Sequence, residues 1–278
     1  MAVSTIPATA ERGETYPGLL ELPARRWIES SSLLSIVIGV TLTLVVVMLL
    51  FPYRGSVLGS FLLDRGLTQP LCLAIAFTVV DYCGRRLLAS RRERRHVGRD
   101  WMPRGLVDLR PLDSDVQTML VLLSQRRTVI SNRLCRLLRC FQDSRSRQVT
   151  RELHQDDIAL TQSEIEDSYL VTRTMIWVLP MLGFLGTVLG ISTSIGGFTG
   201  LLANIDDLET VKASLTAVTG GLSTAFDTTL LGIVTAVLCM VLMSIAERGE
   251  HQLAGDIEAS INDGFFPRLS GDATNPPA

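Results

Sequence analysis

Leu179-Pro180-Met181-Leu182-Gly183-Phe184-Leu185-Gly186-Thr187-Val188-Leu189-Gly190-Ile191 is the stretch on which the reading of this chain turns. It is apolar enough to sit in lipid, yet three glycines and one threonine punctuate it and a proline stands at its inner end. A plain membrane anchor gains nothing from that pattern. Glycines let a second helix approach closely, and a hydroxyl inside an apolar helix requires a partner or water. Gly186 and Gly190 form a GxxxG pair. Gly183, Thr187, Gly190 and Ser194 follow at spacings of four, three and four, which puts them in one stripe on a helix. Such a stripe has two readings. It is a close-packed interface, with Thr187 bonded back to a carbonyl one turn earlier, or it faces a pore.

A second apolar segment, Leu215 to Ala246, carries Thr224, Asp227, Thr228 and Thr229. Ala225, Thr229, Gly232 and Ala236 share one helical face, while Gly220, Ser223, Thr224, Asp227 and Leu231 form another. Two residues of helix turn Asp227 by about 200° from Thr229, so an undistorted helix does not present both to one lumen. An ionisable group within a span is a functional candidate by default. The uninterrupted apolar run begins only at Leu230, however, which leaves Asp227 near the outer boundary. There it is a candidate for the ion path, a hydrated interfacial acid, or a hydrogen-bond partner for another subunit.

The whole chain of 278 residues is 47% hydrophobic, too apolar for an ordinary soluble domain. Four runs are expected to cross a bilayer: Leu33 to Phe51, Leu67 to Gly84, Thr174 to Ala203, and about Val211 to Ala246. The second is the weakest, with Pro70 at its start and Asp81 near its end. The fourth is longer than a bilayer is thick and is expected to protrude or tilt. The acids and arginines before Leu33 are unlike a cleaved leader, so the first run reads as a retained signal anchor. Arg25 and Arg26 precede it, and Arg85, Arg86, Arg91, Arg92, Arg94, Arg95, Arg99 and Arg104 follow the second run. The positive-inside rule makes both flanks cytoplasmic. Arg54, Asp64 and Arg65 then form one outer loop, and Asp206, Asp207, Glu209 and Lys212 the other. The expected organisation is a cytoplasmic segment over 1–32, two spans over 33–84, a cytoplasmic helical region over 85–173, two spans over 174–246, and a cytoplasmic tail over 247–278.

Within 85–173, Val116, Met119, Leu120, Leu123, Ile130, Leu134, Leu137, Leu138 and Phe141 recur at spacings of three and four, an amphipathic helix that Asp113 or Ser114 can cap. Val149, Leu153, Ile158, Ile165, Tyr169 and Leu170 mark a second helix leading into the third span. The pair reads as an antiparallel hairpin under the membrane. The arginines from Arg91 to Arg95, beside a span, read as a topology signal and a contact for anionic lipid rather than for nucleic acid. Residues 247–263 extend the fourth helix, and Ser270 to Ala278 has a disordered composition.

Enzymatic and metal chemistry find no support in the sequence. His96, His154 and His251 stand in no catalytic motif, and Gly196-Gly197 and Gly220-Gly221 follow no strand. Cys135, Cys140 and His154 fall short of four ligands, and the five cysteines outline no disulfide framework. No cofactor is expected.

The two apolar segments resemble the MotA/TolQ/ExbB family of ion-channel subunits. Its first motif, a proline followed by L-L-G-L-L-G-T-V-x-G, is matched by Pro180 to Gly190. Its second, A-L-x-x-T-x-x-G-L, is matched by Ala225 to Ile233. The likeness covers about Thr174 to Ala246. Leu189 stands where the family often has an aromatic residue, and Asp227 is additional to the simplest pattern. The expected fold is an all-α integral inner-membrane protein with four transmembrane helices, a cytoplasmic helical hairpin between the second and third, and both termini cytoplasmic; this resembles the MotA arrangement, whereas the ExbB and TolQ members have three spans. The resemblance implies a homopentamer around an ExbD/TolR/MotB-like single-span partner that carries a membrane Asp. Thr187 and Thr229 would line the ion path, with Ser194 and Asp227 as further candidates. Gly183, Gly186, Gly190, Gly232 and Pro180 would serve helix packing. Ion flow would then drive a motor or energiser, with protons expected as the ion. A non-conducting scaffold and a solute transporter are the alternatives, the latter weakened by four spans and no visible repeat.

Overall fold

The computed structural model describes residues 31–53, 59, 61–62, 66–97, 114–125, 128–203 and 208–269. The expected segments Arg25–Arg26 and Ser270–Ala278, and Arg54, Asp64, Arg65, Arg99, Arg104, Asp113, Asp206 and Asp207, lie outside them. Six α-helices and two short 3₁₀ turns make up the described residues, with no strand among them. Ser31 caps α1 (Ser32–Leu50), its hydroxyl accepting from the Leu34 amide, and Pro52 ends the α-helical pattern in a 3₁₀ turn. Next come α2 (Thr68–Val97), α3 (Ser114–Gln125) and α4 (Val129–Ser144). The last two, α5 (Arg147–Ala203) and α6 (Leu208–Gly264), have 57 residues each. At 1.5 Å per residue each is about 85 Å long, more than twice what a hydrocarbon core needs. Each therefore has an apolar half and a polar half.

Helices α5 and α6 pack antiparallel along their length, from Arg173–Glu247 at one end of the apolar halves to Gly197 beside Ser214 and Ala217 at the other. Helix α2 runs alongside α6 in the same direction, with Ala76 at Cys239 and Arg86 at Glu250. Helix α1 lies antiparallel on α2: Gly39 fits against Thr78, and Arg85 donates to the Ser35 hydroxyl. Only Ser35, Gly39 and Thr43 of α1 are buried, a small-residue stripe of four-residue period. Most of its large apolar side chains point outward, as they do in lipid.

Among the described residues, three helices are long and apolar enough to cross a membrane, within Ser32–Tyr53, Arg147–Gly200 and Leu208–Arg268. The expected second span, now part of α2, is not among them. Thr68, Gln69 and Pro70 occupy its first turn, and Asp81, Arg85 and Arg86 cut short its apolar run.

The amphipathic pattern from Val116 to Phe141 belongs to two helices rather than one. Thr128 and Ser131 form a reciprocal capping box that starts α4 afresh. Arg145, in the left-handed conformation at φ 53°, turns the chain into α5. α4 and the polar half of α5 then form an antiparallel hairpin in which Arg136 meets Asp157 at 2.8 Å.

Candidate functional site

The α5–α6 seam is built from residues too small to hold the helices apart. A Cβ at Gly190 would fall 2.5 Å from the Gly221 carbonyl oxygen, and one at Gly232 would fall 2.8 Å from that of Leu179. Gly183 lies over Thr228, Thr229 and Gly232, and Gly186 over the Thr228 side chain. All four glycines of the expected packing set are therefore in the seam. Pro180 is exposed, and α5 continues through it although the ring removes one backbone donor.

Close approach brings Thr187 and Thr229 together, their hydroxyls in direct hydrogen-bond contact. Thr187 Oγ1 also lies 3.1 Å from Gly183 O, and Thr229 Oγ1 3.0 Å from Ala225 O, each an acceptor within reach of that hydroxyl. The arrangement is reciprocal, because Thr229 Oγ1 is 3.3 Å from Gly183 O and Thr187 Oγ1 is 3.5 Å from Ala225 O. Each hydroxyl has one hydrogen. One threonine can donate to the other while the second donates to a carbonyl, and the roles can exchange with no heavy atom moving. Both threonines are half-buried, whereas neighbouring Thr228 is sealed at 1% exposure. The pair therefore borders the seam, and Thr228 fills it.

Ser194 makes a second crossing, donating to Val218 O at 2.9 Å and lying 3.1 Å from Gly190 O on its own helix. Asp227 is not drawn into the threonine pair. It is half-buried and accepts from Ser223 Oγ at 3.3 Å, one turn earlier on α6.

The sequence pattern missed a second polar centre in the same helices. Arg86 is 2% exposed and Glu250 fully buried, and they form a two-pronged ion pair at 2.6 and 2.7 Å. Tyr169 donates to Glu250 Oε1 at 2.9 Å. Arg86 donates to Tyr82 Oη at 2.7 Å, and Tyr82 passes its own hydrogen to Ser168 O. The guanidinium also lies 4.7 Å from the Tyr169 ring centre. Burial works against the Arg86 charge, but the Glu250 carboxylate outweighs it and holds the guanidinium above its usual range. This buried salt bridge joins α2 to α6, and the tyrosines tie in α5. In sequence Arg86 is one arginine in a basic run, and Glu250 is 164 residues away. Only the charge of Glu250 just past an apolar run could have pointed to it.

Further along the polar half of α5, the buried line is Thr150, His154, Asp157, Thr161, Ile165 and Tyr169. The apolar Val149 and Leu170 of the expected pattern are exposed. Arg133 of α4 reaches the Asp157 carbonyl at 3.2 Å and the Thr161 hydroxyl. His154 is 2% exposed, tilted against the Phe266 ring, with neither ring nitrogen hydrogen-bonded among the described residues. Burial, aided by Arg133, pushes its pKa down to about 4.

Searches of curated proteins and of solved structures return no match. A family model does match, and its residues 123–259 span α4, the α5–α6 hairpin with its threonine pair, and Glu250. The model that residues 123–259 match is that of the MotA/TolQ/ExbB proton channel family.

Proposed function

We propose that this chain is the ion-conducting subunit of an inner-membrane motor or energiser, with protons as the ion. The observation that carries the reading is the Thr187–Thr229 pair, half-buried at the border of a glycine-packed seam inside the family-matched region. Hydroxyls can hand on a proton or coordinate a partly hydrated cation without a fixed charge to trap it. Ser194 continues the set of hydroxyls along α5. Asp227, on another face of α6, is assigned to a neighbouring helix rather than to the pair itself.

In this reading α2 is a fourth span. Support comes from its position: residues 76 to 86 lie level with 239 to 250 of α6, and its opposite face carries α1. Its apolar part thus shares the depth of two helices that are apolar enough to cross. Both termini and the polar halves are then cytoplasmic, as the arginines after Gly84 favour. Several copies, five by family likeness, surround a single-span partner whose membrane Asp takes up and releases the ion.

The test is ion flux in proteoliposomes that hold the chain and its partner, for wild type and Thr229→Val. Flux driven by a pH gradient and lost in the variant, with assembly intact, supports the reading. Unchanged flux in Thr229→Val removes the pair from the path. One observation favours a non-conducting scaffold: both hydroxyls already find acceptors within one chain. Absence of flux from an intact wild-type complex would select it.

A further inference from the structure

Two exposed stripes on the polar half of the molecule match each other in charge and in depth. On α2, Leu88, Arg91, Arg92 and Arg95 follow at helical spacing and are exposed, turned from the face that buries Arg86 and Ser90. Arg94, beside them, is taken up by Asp256 at 2.7 Å, whereas Arg91, Arg92 and Arg95 form no ion pair within the described residues. On α5, Asp156, Leu160, Ser163, Glu166 and Asp167 are exposed, opposite the buried line through Asp157, Thr161 and Ile165. Leu160 is 56% exposed and Leu88 55%, so each stripe also carries one exposed apolar side chain beside its charges.

The buried cluster sets the relative depth. Arg86 and Tyr169 meet at Glu250, and from there α2 descends with rising residue number while α5 descends with falling number. Arg91 to Arg95 lie five to nine residues below that level, about 8–14 Å. On α5 the same depth falls at residues 160 to 164, with Glu166 and Asp167 just above and Asp156 just below. A headgroup layer is only about 5–8 Å thick on each side. Arg95 therefore lies beyond it, which favours a protein partner over lipid.

We propose that the α2 arginine stripe of one copy docks on the acidic α5 stripe of the next copy. The two surfaces are complementary to each other but neither is complementary to itself. The contact is therefore head-to-tail, the kind that closes into a ring. Copies in one bilayer share one depth, so the matching heights let the stripes meet without tilting either subunit. This inference rests on the multi-copy reading above and names the surface that joins the copies outside the membrane.

The experiment uses two differently tagged full-length copies, both with Cys140→Ser to remove the half-exposed thiol. One carries Arg92→Cys, the other Ser163→Cys, positions at equal depth. Oxidation in membranes should link the two tags. Arg91→Glu with Arg95→Glu should lower the yield about five-fold, and Glu166→Arg with Asp167→Arg on the partner copy should restore it. Arg92→Cys linking to its own kind overturns the head-to-tail geometry. No link, with multi-copy particles still seen by native mass spectrometry, overturns this contact and leaves the proposed function standing. Single-copy particles overturn both. Loss of co-purifying anionic lipid on Arg91→Gln with Arg95→Gln, again without a link, assigns the stripe to lipid and overturns the inference.

Discussion

The apolar and polar halves of the α5–α6 hairpin solve the same problem, holding two long helices together, by opposite means. The apolar half uses glycine contacts and uncharged hydroxyls that satisfy one another. The polar half uses a buried ion pair with two tyrosines and draws in α2 as a third helix. Lipid tails give helices no hydrophobic reason to associate, so close backbone packing carries that half. Outside the hydrocarbon a charge is costly to bury but, once paired, specifies one partner and one register. The contrast fits the proposed channel, in which one half would let an ion pass and the other would keep its shape.

The largest expected effect is at the ion pair. Arg86→Ala strands the Glu250 carboxylate, and should cost about 3–5 kcal/mol, read as a drop in thermal midpoint of the purified protein in lipid. Arg86→Met with Glu250→Leu should recover most of that loss. If the single substitution costs no more than a surface arginine, the polar half is not held by this pair, and the comparison fails.

Next is the seam. Gly190→Leu places side-chain atoms where the Gly221 carbonyl and the Ala225 backbone already stand. It should cost about 1–3 kcal/mol and separate α5 from α6, measured as a longer spin-label distance between their outer ends. An unchanged distance would show that the two helices are not held by close contact.

A pH-dependent effect, absent at neutral pH, is expected at His154. Its folded pKa of about 4 lies below the ordinary 6.5, so the neutral ring is the form that fits. The unfolded state then binds more protons between those values, and the contribution to stability, complete above about 6.5, is lost as pH falls towards 4. Amide exchange in the turn Phe266–Arg268 should quicken over that window in wild type. His154→Leu should flatten the dependence.

The smallest stability effect belongs to Thr229→Val. A membrane hydroxyl contact is worth roughly 0.6 kcal/mol on average, so the melt should barely move while flux is lost. A large drop in stability would make the threonines structural and erase the difference between the halves.

Much of the apolar half was legible in sequence. Gly183, Gly186, Gly190, Thr187, Thr229 and Gly232 recur at helical spacing, so a stripe of small residues on each of two helices follows from local periodicity, while the packing of one stripe on the other is seen only in the structure. The α1 stripe Ser35, Gly39 and Thr43 has the same period but was read only as part of an apolar run, because its partner Thr78 lies on a helix whose apolar character is marginal. The break between α3 and α4 was hidden by an apolar pattern that keeps its phase across Thr128, where capping, not hydrophobicity, divides the helices. On α5 the pattern misled: Val149 and Leu170 are exposed, and Thr150, His154 and Asp157 are buried, because α4 and the turn at Phe266 supply polar and aromatic neighbours.

By itself the sequence determined the helical class, the small-residue stripes and the family motifs, since each depends on residues a few positions apart on one helix. The tertiary structure alone decided that Arg86 is a buried ion-pair partner rather than one more flanking charge. It also decided that Thr187 and Thr229 share their hydrogens and Asp227 does not join them, and that the basic and acidic stripes lie at one depth. Those outcomes depend on how far α2 and α5 slide along α6. That register comes from contacts between residues up to 164 positions apart, a distance over which no local period carries information.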